Sequence, residues 1–117
     1  MRAEDINSLE SESGVIATLI QHPDFIFYSE QLLPTHFTNK ENKCMYMAIR
    51  NLTRKGIFTI DPYNIISYLN SSEATKEFAG VLSIDKLNEL MEMSDVLVRH
   101  TVEEYKMLAS NVLDAAF

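Results

Sequence analysis

Three histidines, one cysteine and a pair of adjacent glutamates are the side chains of this chain best suited to chemistry. A zinc ion held on a helix asks for two ligands four residues apart on one face. His22, His36 and His100 are spaced too widely for that, and the lone Cys44 adds little. His22, beside Pro23, reads as a solvent-exposed group at a helix end, and His36 as a loop residue packed beside Phe37. A nucleophilic thiol needs a base nearby, whereas Cys44 borders an apolar helical face, where cysteine behaves as a small hydrophobe. Glu103 and Glu104 are neighbours, so on a helix they diverge instead of forming an acid–base pair. Gly14, Gly56 and Gly80 are too scattered for a phosphate-cradling loop, and no Walker-type lysine sequence is present. The chain by itself therefore reads as no enzyme, with no catalytic residue, cofactor site or metal ligand expected of it.

Two patterns point instead to binding. Lys43, Arg50 and Arg54 share one helical face, a candidate contact for an acidic partner or simply a solvated surface. Val98, Val102, Tyr105, Ala109, Val112 and Ala116 follow spacings of 4, 3, 4, 3 and 4, a heptad-like seam. Such a seam packs on another helix, either of the chain's own head or of a second copy. Val98, Val102, Tyr105, Ala109 and Val112 are thus the candidates for self-association.

The elements that carry these residues all have helical period. Ser8 or Ser11 is suited to cap a first helix whose apolar face is Leu9, Val15, Ile16, Leu19 and Ile20, ended by Pro23. A second short helix opens at Pro23 and stops at Pro34. A third spans roughly 40–55, closed by Gly56. Asp61 caps a fourth with Pro62 at its first position, a short turn of helix ends at Gly80, and Ser83 caps another. From Asp95 onward no breaker interrupts the pattern, so a single long helix is expected to the end. The resulting picture is all-α: a tail over 1–8, a head of five or six helices over 9–94, and a long helix over 95–117.

Bulk properties narrow the partners. At 117 residues, 46% hydrophobic and 23% charged, the chain fits one globular domain. No run approaches the ~20 apolar residues of a membrane span, the acidic start is no signal peptide, and one cysteine fits a reducing cytoplasm. The net charge is −7, divided as −5 over residues 1–33, +2 over 34–84 and −4 over 85–117. Strong DNA binding needs clustered Lys and Arg, so DNA contact is expected to be weak or indirect.

One stretch is more specific than its composition. "SESGVIATLIQHPDF" resembles the amino-terminal motif of DnaB-type replicative helicases, with Glu12, Val15, Ile16, Leu19 and Ile20 at matching positions and Ala17 in place of a glycine. "LLPTHFTNKENKCMYMAIRNL" continues the resemblance with Leu33, Phe37, Tyr46, Ala48, Ile49 and Leu52, followed by Lys55-Gly56, Ile60-Asp61 and Tyr68-Leu69. "TVEEYKMLASNVL" matches more loosely through Tyr105 and Val112-Leu113. Asn42 stands where the family often has histidine, and residues 71–84 lack its Gly-Gly step, features of a divergent bacterial or bacteriophage member.

The resemblance implies a non-catalytic amino-terminal scaffold whose helical hairpin, beginning in the last helix, pairs protomers into dimers and a hexameric trimer of dimers. It also implies a docking surface for primase and for helicase loaders, in the cytoplasm of a bacterium or infected host. ATP and magnesium belong to a RecA-like motor domain that this chain lacks. The alternative is a stand-alone small all-α phage protein that binds a host replication protein.

Overall fold

The computed structural model describes residues 3–71 and 73–116, with the side chains of residues 3–8 and 74 outside the description. Its helices are α1 (Ala3–Gln21), α2 (Lys40–Arg54), α3 (Pro62–Leu69), α4 (Glu73–Ala79), α5 (Ile84–Leu97) and α6 (Val102–Ala115). Two 3-10 turns, Pro23–Tyr28 and Pro34–His36, lie between α1 and α2. No strand occurs among the described residues, and the fold is all-α.

Local chemistry sets most of the helix ends. Pro23 disfavours helix at the residue before it, and α1 stops at Gln21. Asn39 caps α2 by accepting from the Asn42 N–H at 2.9 Å. Beyond α2, Gly56 sits at φ 84, a left-handed geometry that glycine adopts without penalty. Asp61 accepts from the Asn64 N–H at 2.8 Å, with Pro62 opening α3. Ser83 accepts from the Lys86 N–H at 3.1 Å to cap α5.

Three boundaries depart from the sequence expectation. Helix α1 begins at Ala3, so residues 3–8 are helical and not a tail, and Ser11 is buried inside the helix instead of capping it. Residues 1 and 2 of the expected tail, and the side chain of Ser8, lie outside the described residues. The element after Pro23 is a 3-10 turn ending at Tyr28, and Pro34 opens a second such turn instead of stopping a helix.

The long final helix is likewise two helices. Asp95 belongs to the last turn of α5, and Val98 leaves the helical region at ψ 142. The Arg99 N–H donates to Thr18 Oγ1 at 3.0 Å, and Thr101 accepts from the Glu104 N–H at 3.2 Å to cap α6. Thr101 and Glu104 have the order of a capping box. An unbroken apolar spacing running through the join had concealed that signal.

Helix α1 is the central element. Residues 14–19 are all buried, so the helix must be covered on every side there. Helices α6, α5 and α2 supply the cover. Gly14 leaves room for Leu108 of α6, since a Cβ at that position would stand 2.8 Å from Leu108 Cδ1. Around this axis Val15, Leu19, Met45, Ile49, Ile65, Leu69, Leu87 and Tyr105 form a continuous core.

Candidate interaction surfaces

Most of the residues that carried the resemblance belong to the interior, whereas Leu33, Lys55 and Gly56 are exposed. Val15, Ile16, Leu19, Phe37, Tyr46, Ala48 and Ile49 are buried, Ile20 packs partly against them, and Asp61 is the α3 cap. Glu12 is the exception in kind. It is 0% exposed, yet its carboxylate receives the Thr38 N–H at 3.1 Å, the Thr38 hydroxyl at 2.7 Å and the Asn39 N–H at 3.2 Å. A mid-helix carboxylate thus holds the segment that caps α2, a role that its place in the sequence motif does not announce.

A second buried polar group was not foreseen. The Ser29 hydroxyl lies 2.7 Å from the Tyr105 hydroxyl and 3.4 Å from that of Tyr46, and donates to the Ile26 carbonyl at 3.0 Å. Tyr46 in turn donates to the Leu32 carbonyl at 2.8 Å. Burial raises the Tyr105 phenol well above its ordinary range, with the neighbouring Tyr46 adding to the shift and the Ser29 hydrogen bond opposing it. Burial also raises Tyr46, against the Ser29 hydrogen bond and the fields of Arg50 and Arg54. The cluster joins α2, α6 and the first 3-10 turn. Ser29→Ala is expected to cost about 1–3 kcal/mol by leaving a buried tyrosine hydroxyl short of a partner, measured by urea denaturation.

The heptad-like seam serves the fold. Tyr105, Ala109 and Val112 are buried against the chain's own head, and Val98 and Val102 are half-buried. As placed, self-association along this seam would require α6 to leave α1. The physical reason is the circumference of α1, too apolar for α2 and α5 alone to cover. The outward side of α6 instead presents Met107, 66% exposed.

Two of the open surfaces among the described residues bear on binding. One is a groove between α1 and α5 with a cavity of about 230 Å³, whose walls include Leu9, Ala17, Ile20, Leu90, Met93 and Leu97. Glu41 and Glu89 stand at its edge and both pair with Lys86, at 3.2 and 3.6 Å. The other surrounds the expected basic face. Arg50 and Arg54 line a cavity of about 310 Å³ together with Ile26, Phe27 and Glu30, and Lys43 is not part of it. Seven residues along a helix is about 10 Å, so the three cations do not act as one cluster.

The groups inspected for chemistry have structural surroundings. His22 does not cap with its side chain; its ring stacks on Phe25 at 4.8 Å, with Nε2 3.3 Å from His100 Nδ1. His36 sits in the second 3-10 turn and its Nδ1 accepts from the Leu33 N–H at 3.0 Å. Glu104 accepts from the Thr101 hydroxyl at 3.0 Å. Among the described residues no group of three or more His, Cys, Asp or Glu is placed to hold a metal, and no helix is long and apolar enough to cross a membrane.

Burial pushes the Cys44 thiol from 9.0 up to about 11, with Lys43 partly opposing. The folded chain therefore holds this proton more tightly than the unfolded chain, so the associated stability is full below pH 9 and is lost as pH rises toward 11. Near neutral pH, thiol reagents are expected to modify Cys44 only as fast as the chain opens. Labelling at the rate of a free cysteine would contradict its burial.

Neither a curated protein nor a solved structure matches the chain. Residues 4–107 match the family model described as the DnaB-like helicase N terminal domain, a span running from the first turn of α1 into α6. With an all-helical head built around the residues of that motif, the chain belongs to the DnaB-like helicase N-terminal domain family.

Proposed function

We propose that this domain is a non-catalytic scaffold in a replicative DNA helicase, contributing to assembly of the hexameric ring and docking primase, with helicase loaders as a second client. ATP and magnesium have no role within the domain on this reading. The observation that carries it is the family match over residues 4–107. One feature of the fold supports it. The groove between α1 and α5 has an apolar floor of Leu9, Ala17, Ile20, Leu90, Met93 and Leu97, which suits the apolar face of an amphipathic helix laid into it.

Primase docking is assigned to this groove, and ring assembly to apolar surface outside the α1–α6 contact. Leu9→Glu and Met93→Glu alter side chains already 41% and 47% exposed, so the fold is expected to survive both. Titration of the chain with the primase of its own replication system, followed by calorimetry, is expected to show each change weakening binding about tenfold, the loss of one apolar anchor. Sedimentation over a concentration series should show self-association of the parent chain. A strictly monomeric chain that binds no primase would defeat the reading.

A further inference from the structure

We propose that the cleft between α2 and the first 3-10 turn is a docking site for an acidic peptide segment that carries an apolar anchor. The inference stands apart from primase docking, which is assigned to the groove between α1 and α5.

The chain is acidic overall, yet α2 presents Arg50 and Arg54 one turn apart. Among the described residues neither guanidinium is paired with a carboxylate. The cavity of about 310 Å³ that they line has an apolar wall of Ile26 and Phe27. Phe27 is 52% exposed, and its ring lies 6.1 Å from that of Phe58, itself 46% exposed. Two large aromatic rings held together at the surface beside unpaired cations mark a site of contact. Guanidinium forks match carboxylates in bidentate geometry, and the cavity behind them accepts one apolar side chain.

The same arrangement disfavours a nucleic acid. Polyanion binding grows with the number of phosphates neutralised, and only two unpaired guanidiniums serve this cleft. Of the neighbouring cations, Lys55 lies over the Tyr68 ring at 5.7 Å, and Lys106 over Tyr28 at 5.4 Å. The chain's net charge of −7 opposes a long anionic strand, whereas a short acidic segment meets the local positive charge alone. Among the described residues Glu30 is the carboxylate that lines the cavity, and it limits the affinity.

The test is fluorescence anisotropy with a labelled short peptide of Asp and Glu ending in phenylalanine. Saturable binding is expected, weakened about tenfold or more by Arg54→Ala and by Arg50→Ala, and tightened by Glu30→Gln. Replacing the terminal phenylalanine of the probe by serine should abolish binding, and an oligothymidylate of equal charge should not compete. Thermal melts check that each variant is folded; if Arg50→Ala, which is half-buried, fails to fold, the exposed Arg54 and the Glu30 change carry the test. Absence of saturable binding, or binding indifferent to Arg54 and Glu30, overturns the proposal. Tighter binding of oligothymidylate through the same arginines also overturns it, making the cleft a nucleic-acid site.

Discussion

Tyr105→Asp is expected to unfold the chain, lowering its stability by about 4 kcal/mol or more. Tyr105 is fully buried, its ring lies 5.9 Å from that of Phe25, and its hydroxyl meets Ser29 at 2.7 Å. Deleting a core aromatic costs roughly 3–5 kcal/mol, and the aspartate adds a carboxylate with no counter-charge in an apolar site. A domain with about 5–15 kcal/mol in total cannot absorb that easily. Circular dichroism with urea denaturation reads the outcome. The variant would be monomeric for want of a fold, so that result would say nothing about an interface. Met107→Asp supplies the contrast, because Met107 points outward from the same helix. It should change stability by no more than about 0.5 kcal/mol. A Tyr105→Asp chain as stable as the parent would show that α6 does not pack on α1.

Glu12→Ala ranks next, at about 3 kcal/mol. Three donors converge on this carboxylate, two of them backbone N–H groups of Thr38 and Asn39, and the alanine variant leaves these part-buried donors without their acceptor. Because Asn39 is the cap of α2, the damage should spread to the start of that helix. A fall in melting temperature of roughly 10–20 °C is expected, with faster amide exchange at Thr38 and Asn39. Glu12→Gln keeps the shape and one good acceptor, so it should lose about half as much. Equal stability of Glu12→Ala and parent would mean that the three contacts contribute nothing net.

Much of the fold was legible residue by residue. Pro23, Gly56, the Asp61-Pro62 pair and Ser83 act on their own backbone neighbourhood, and each terminates or opens the element it should. The Thr101–Glu104 cap was equally local, but the apolar spacing across it argued for continuity and concealed the join. The roles of Glu12 and Ser29 were not legible. Their partners Thr38 and Tyr105 lie 26 and 76 residues away, and no local pattern announces a contact at that range.

The sequence by itself determined where helices form, where most of them end, and, through the order of Glu12, Val15, Ile16, Leu19 and Ile20, which family the chain belongs to. Only the tertiary structure decided which apolar and charged faces are spare. Periodicity states that a face is apolar and cannot state what covers it. The seam of α6 is taken by α1, buried throughout residues 14–19, while among the described residues Arg50 and Arg54 pair with no carboxylate beside an open cavity. Burial is a competition among faces distant in sequence, and its outcome is settled by the geometry of the whole fold.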